Sequence, residues 1–599
     1  MSLQDSRARM DGYQSVTTGC DSGRSPNTLD RNQLSWMVNL TTRDGFPTCR
    51  PGRIPRPLEF DTPETQTAFE SGLFQGAWPY LHDAGTVFHI VSIGGHIFLV
   101  DLQSWLVQDL SALYGLYNFA AAPRAWFVQA ENYLIIQNAT DAALIYDGSN
   151  LRRSAAGGTT NVDEVPAGSV MEYNNGRLWV AAPDGYRFVA GDLVYSVTGQ
   201  RADVLGFTEN TFLNGGGFFV VPAQAGPIVA MRSLAVQDTP LGQGPLQVIT
   251  TRGAFNVNAP FDREEWQNTK SPIVAISMLA AGATAQASTI PVNGDLWFRS
   301  FDGIRSFAFA QRDHGTWANT PVSREVSRAL DYDTATLLEY SSAALYDNRL
   351  TLTTQPYKVT DHGVVHRGLV VLDFAPVSRM FNRSAPAWEG VWTGLNILQV
   401  LVTDGIPSRS WIYILDGANQ IKLWEQTKGE RFDAHDTRIE WALETPAYGF
   451  DTGGWSLREF AYSDFWINRI TGEVNLTFTY RCDHDQVWQP WSVASFCASF
   501  ESCNKGECEV PASYLEQYRP RVRLPTPSGA CDPLTGKPRH LGYRFAVRVE
   551  GRGFAALPQL RLIARDLPEL VDGACPPSTC TMEASTGCAP NDYTYNATA

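Results

Sequence analysis

Chemistry in a chain of 599 residues would show first as nucleophiles, acids or ligands held at fixed spacing, and the strong spacings are missing. There is no HExxH, which sets two imidazoles and a base on one helix face for zinc hydrolysis. There is no GxSxG elbow and no GxxxxGK[ST] phosphate loop; Gly536-Lys537 is followed by Pro538 and lacks the upstream glycine. Asp184, Asp302, Asp404 and Asp416 are each followed by glycine, so turn formation accounts for them. Paired carboxylates for glycoside hydrolysis would come from distant strands and leave no local pattern. Asp331-Tyr332-Asp333 and Cys482-Asp483-His484-Asp485 come nearest to a metal cluster. They lack the glycine and distal glutamate of a calcium loop and read as solvated acidic surface. No catalytic residue, cofactor or metal ligand is predicted, and the chain is not expected to be an enzyme.

Cysteine use is lopsided. Cys20 and Cys49 lie early; Cys482, Cys497, Cys503, Cys508, Cys531, Cys575, Cys580 and Cys588 crowd the last fifth. The CxxxxC pairs Cys503/Cys508 and Cys575/Cys580 suit loops closed by disulfides or a metal. Zinc favours tighter spacing and histidine, and only His484 and His540 lie in this region. Disulfides need an oxidising environment after synthesis, and free, partly buried thiols are the plainer reading. The sequons at Asn39, Asn138, Asn382, Asn475 and Asn596 mean little without a secretory leader.

The elements that would position any site are β-strands. With 17 Trp, 22 Tyr and 30 Phe beside 50 Gly and 35 Pro, the composition favours short antiparallel strands and many turns, so an all-β fold is expected. Apolar runs broken by turn dipeptides recur at 87–102, 125–138, 170–182, 246–257, 294–309, 343–353 and 410–424, each a hairpin signal. One repeat is explicit: the pattern NGxLWxxxxDGxR occurs at 175–187 and again at 293–305. Asn-Gly supplies the two positive φ angles of a type I′ turn and Asp-Gly turns the chain back, giving three antiparallel strands each time. Irregular hairpin repeats predict a β-propeller of six or seven blades, with two β-sandwiches as the competing arrangement. Trp179 and Trp297, at equivalent places, are expected to pack between sheets.

The organisation expected is an extended polar arm at 1–70, the propeller at 71–435 and a β-sandwich-like domain at 436–567. A Cys-rich insertion at 495–540 interrupts the last, and a flexible tail follows at 568–599. The N-terminus has no apolar leader, so synthesis in a cytoplasm is expected. The apolar run 273–283 is too short to cross a bilayer and reads as a buried strand or short helix. A net charge of −15 opposes tight sequence-independent DNA binding.

Two segments carry a resemblance. LSWMVNLTTRDGFPTCRPGR (34–53), through Asn39, Arg43, Gly45, Arg50, Pro51 and Gly52, resembles the N-terminal signature of propeller-bearing tail proteins of tailed bacteriophages. WALETPAYGF and LREFAYSDFWI (within 441–467) are similar to the strand pair that follows the propeller in those proteins, and NGRLWVAAPDGYRFVAGDLVYSV has their blade pattern. The Cys-rich region after 482 departs from the family pattern. The nearest functional type is the tail nozzle, or packaged-DNA stabilisation protein, of short-tailed phages. The resemblance implies a homohexameric ring in the virion tail, made in the host bacterial cytoplasm. Such a ring continues the DNA channel below the portal and adaptor, passes DNA without specific binding, and docks fibres or spikes. A conduit must not grip its cargo, so the negative charge is compatible. The competing expectations are a tail-borne propeller lectin or glycan-degrading enzyme and a cytoplasmic propeller scaffold.

Overall fold

The computed structural model describes residues 8–82, 85–154, 164–194, 204–206, 217–234, 244–257, 273–277, 282–307, 321–375, 386–404, 407–450, 456–483, 487–497, 521–524 and 540–567. Alternation of apolar and polar residues builds strands that turn on left-handed residues. Asn175 and Gly176 have φ of 50° and 76°, and Asn293 and Gly294 have 51° and 78°, so both copies of the repeat turn through the same conformation. Each copy makes the three antiparallel strands its spacing predicts: 171–194 in one sheet and 289–306 in another.

The fold is all-β with a propeller-like arrangement. Five separate sheets follow one another along the chain, at 59–109, 126–153, 171–220, 228–277 and 289–306; they are called blades one to five below. The expected count was six or seven. The difference arises because the hairpins of 343–426 do not stand apart but join the N- and C-terminal strands in a seventeen-stranded sheet. The inner strands of the blades, Phe74–Leu81, Trp126–Ala130, Met171–Asn174, Ile228–Ser233 and Thr289–Val292, touch in succession. Ala343–Tyr346 and Ala387–Thr403 of the large sheet then complete the circle back to blade one. Apolar cores fill the wedges between neighbours. Trp179 is buried in the core between blades three and four, and Trp297 packs edge-on against Phe374, just past the end of a strand of the large sheet. The apolar run at 273 enters blade four as the strand Ile273–Ser277.

Residues 8–70 differ from the extended arm expected of them. Ala8–Tyr13 pairs with 560–565, Trp36–Val38 pairs with 442–444 and meets Val391, and Arg53–Arg56 adds the outermost strand to Ile421–Gln426. Tyr13, Val16, Leu34, Met37 and Leu40 are buried in the largest core. The segment looks unable to fold by itself because its partners lie hundreds of residues away in the same chain.

Beyond 436 two long strands, Arg458–Cys482 and Phe545–Asp566, pair along their lengths, with register shifts between Trp466 and Asn475. The irregularity folds the pair over itself. Phe465 meets Phe478 at 4.7 Å between ring centres, and Phe460 meets Phe545 at 5.2 Å, so the two halves face each other across an aromatic core. Most of the insertion at 495–540 and the tail after 567 lie outside the described residues, as do Cys503, Cys508, Cys531, Cys575, Cys580 and Cys588. Cys20, Cys49 and Cys482 are buried, and burial pushes the Cys49 thiol up to about 12. Among the described residues no helix is long and apolar enough to cross a membrane.

Candidate functional site

The axis of a propeller is where inner strands converge, and where ligands of this architecture would sit. Neighbouring inner strands are splayed and share no continuous backbone ladder, so their outward N–H and C=O groups need other partners. Here side chains supply them. Gln399 donates to the Ala77 carbonyl (2.9 Å) and accepts from the Ala77 amide (2.8 Å), tying the large sheet to blade one. Gln129 does the same to Leu81 (2.7 and 3.0 Å), across blades two and one. Gln286, just before the blade-five strand, does it to Met231 of blade four (2.9 and 2.7 Å). A primary amide presents one donor and one acceptor side by side, so glutamine mimics a strand neighbour.

The remaining seams are closed by other groups. Tyr173 donates to Glu131 (3.2 Å), Ser233 donates from its amide to Glu172 (3.0 Å), and Arg232 donates to Glu172 (3.1 Å) and to the Thr289 carbonyl (2.8 Å). The Ala343 amide reaches the Ala287 carbonyl (2.9 Å), and the Val400 amide reaches Ser342 Oγ (3.0 Å). Hydrogen bonds therefore cross every seam of the circle.

The axial space is divided into cavities of about 430 and 370 Å³. Glu172 is engaged by Arg232, and Glu339 by Arg124, whose guanidinium also lies over Trp126 (5.1 Å) and Tyr340 (5.5 Å). Trp78, Trp126 and Tyr340 are half-buried and give the space an aromatic wall.

The residues singled out from sequence fall elsewhere. Asp184 accepts from the amides of Tyr186 and Arg187, which hold its carboxyl below the usual range, and Asp416 accepts from those of Ala418 and Gln420; both act in their turns. Asp302 binds Ser300 and Arg305, while Asp404 is exposed at the mouth of the axial space. Asp333, expected on a solvated surface, is instead buried against Arg299 (2.6 Å), because it also takes the Thr354 hydroxyl and Gln355 amide. Asp483 accepts from the amides of Tyr543 and Arg544; His484 and Asp485 lie outside the described residues. Among the described residues no three His, Cys, Asp or Glu side chains converge as a metal site.

The signature at 34–53 builds a buried polar knot. Asn39, at φ 53°, accepts from Arg50 Nε (2.9 Å) and the Thr393 amide (2.7 Å) and donates to the Glu440 carbonyl (2.7 Å). Arg50 grips Asp433 with two nitrogens (2.9 and 2.7 Å). Arg43 spans Asp373 and Asp347. A side chain on Gly52 would place its Cβ 1.9 Å from the Phe432 carbonyl oxygen, so only glycine fits. These residues therefore lock the N-terminal segment, the last propeller hairpins and the C-terminal strands together. The glutamine ties were missed from sequence, since a glutamine on a strand has no distinguishing local pattern.

No family model matches the chain, and no curated protein matches it. Solved structures do. The AfRom2 CNH domain is 10% identical, with 63% of this chain and 99% of that one covered at a TM-score of 0.35. PorZ, a surface component of the type IX secretion system of Porphyromonas gingivalis, is 13% identical at a TM-score of 0.31. That match covers 85% of this chain and 62% of PorZ, so the chain spans under two thirds of that relative.

Proposed function

We propose that the chain is a non-enzymatic structural protein of a short-tailed bacteriophage tail, one wedge of a homohexameric nozzle ring around the DNA channel below portal and adaptor. The observation that carries this reading is the use of polar groups at the propeller axis: they bind neighbouring strands, which makes a rigid block rather than a poised site. Counted by inner strands the propeller has seven positions, five as separate sheets and two within the large sheet. The DNA path is the hole between copies; the axial cavities of about 430 and 370 Å³ are far too small for a duplex. The C-terminal double layer is the docking platform for fibres or spikes. The signature behind the resemblance occupies the junction of all three parts, which suits a protein that transmits force. DNA passes without specific contacts, in keeping with the charge of −15.

Light scattering and native mass spectrometry on the purified chain, alone and with adaptor, test the reading. A six-fold species supports it, and a monomer under both conditions overturns it. A tail-borne lectin is the second reading, favoured by the aromatic wall of Trp78, Trp126 and Tyr340. It predicts millimolar or tighter glycan binding that is lost in Trp126→Ala, with no ring.

A further inference from the structure

The outer face of one C-terminal layer has an unbalanced charge. Along the strand Arg458–Cys482, Tyr462, Asp464 and Trp466 alternate onto one face. Asp464 stands opposite Arg523 on one side and Arg561 on the other, and Trp466 stands opposite Arg521. Three guanidiniums converge on the one carboxylate: Arg521 Nη2 at 2.5 Å, Arg523 Nε at 3.1 Å, and Arg561. Asp464 is fully covered, whereas the arginines remain 46%, 57% and 36% exposed. The cations also lie over rings, Arg523 on Tyr462 (4.4 Å), and Arg521 and Arg561 on Trp466 (5.9 and 5.7 Å). Planar guanidiniums held this way keep further N–H donors pointing outward at low entropic cost. Beside Trp466 and Arg561 a groove of about 630 Å³ runs to the exposed Met10.

The opposite layer shows what a balanced face looks like. There Arg548 pairs with Glu550 (3.0 Å), Arg438 with Glu473 (2.9 Å) and Arg552 with Glu440 (3.9 Å). Among the described residues, three arginines around one aspartate leave a surplus of two positive charges there, on a chain whose net charge is −15. The reverse imbalance occurs on blade one, where Glu59, Asp61 and Glu64 are exposed around the start of the helix Pro63–Ser71 and have no ion-pair partner among the described residues.

We infer that the Arg521–Arg523–Arg561 face is the interface that receives the Glu59–Asp61–Glu64 corner of a second copy of this chain. Two different, oppositely charged patches make a heterologous contact, which repeats around an axis and closes into a ring when the rotation permits. The surplus arginines steer the encounter and fix its register. The inference rests on the ring proposed above and specifies its contact.

Full-length Arg521→Gln/Arg523→Gln keeps Arg561 on Asp464, so the layer retains its carboxylate partner; circular dichroism and melting report that it folds. This variant and Asp61→Arg/Glu64→Arg are each expected to raise the concentration for half-assembly at least tenfold in 0.1 M salt. Arg521→Glu/Arg523→Glu combined with Asp61→Arg/Glu64→Arg is expected to recover assembly. If the wild type assembles and folded charge variants assemble equally well, the ring stands and this interface is wrong. If the wild type never assembles, with or without adaptor, the ring itself fails. Loss of short duplex DNA binding in the arginine variants, with assembly intact, would assign the face to a polyanion and overturn the inference.

Discussion

Two buried arginines share one aspartate at the junction of the chain's three parts. Arg50 has a bidentate hold on Asp433, while Arg53 offers the Thr393 carbonyl a single long bond (3.2 Å) and keeps Nε and Nη2 without a partner among the described residues. Burial and then the neighbouring Arg50 lower the Arg53 guanidinium to about 9, against partial support from Asp433. Removing Arg50 strands a buried carboxylate, so Arg50→Met is expected to cost about 3–5 kcal/mol in denaturant unfolding. Arg53→Met removes an under-satisfied charge of similar volume and is expected to be neutral or stabilising. Glu325 makes a pH prediction. Burial, and after it repulsion from Asp21, raise its carboxyl to about 7 despite Arg24. Between about pH 4.5 and 7 the folded state holds a proton that the unfolded chain has released, so this group's contribution to stability falls as pH rises through that window. Glu325→Gln should therefore raise the melting temperature at pH 8 and leave it unchanged at pH 4.5; an equal gain at both would point to a cause other than titration.

At the scale of elements the glutamine ties make a ranked prediction. Met231 and Ala77 are buried, whereas Leu81 is 48% exposed. Truncating the tie leaves a buried N–H and C=O unpaired in the first two cases, at about 1–3 kcal/mol, and lets water replace it in the third. Gln286→Ala and Gln399→Ala should thus destabilise clearly more than Gln129→Ala, with amide exchange accelerating at Met231 and Ala77 respectively. Equal effects would mean that the ties are incidental. The same distinction between local and distant partners explains what was legible in the sequence. The hairpins at 170–182 and 294–309 could be read because Asn175-Gly176 and Asn293-Gly294 fix their own turns. The arm was misread because Asn39, Arg43 and Arg50 look solvent-loving until Asp433, Thr393 and Asp373, all more than 300 residues on, are placed beside them. The five separate sheets fell short of the hairpin count for a related reason. Arg53–Arg56 and the C-terminal strands merge the last hairpins into one large sheet, and edge pairing leaves no local signature.

For the whole molecule, the placement of residues 8–56 decides between an assembly arm and an integral part of the fold. An arm that ordered only on neighbours would be removable, leaving a folded monomer that fails to assemble. The geometry points the other way. Arg53–Arg56 covers the outer edge of the last propeller hairpin, Trp36–Val38 bridges it to the strand Glu440–Glu444, and Ala8–Tyr13 pairs with the far end of Phe545–Asp566. A deletion through Arg56 would bare a strand edge and remove Leu34, Met37 and Leu40 from the largest core. We expect the chain lacking residues 1–56 to be insoluble or molten, seen as lost near-ultraviolet dichroism and ready proteolysis. Ring closure within a chain, by a first strand completing the last hairpin, makes stability depend on both ends at once. A propeller fastened in this way resists being pulled open blade by blade. A truncated chain that stayed monomeric, folded and as heat-stable as the full one would remove that argument and restore the arm.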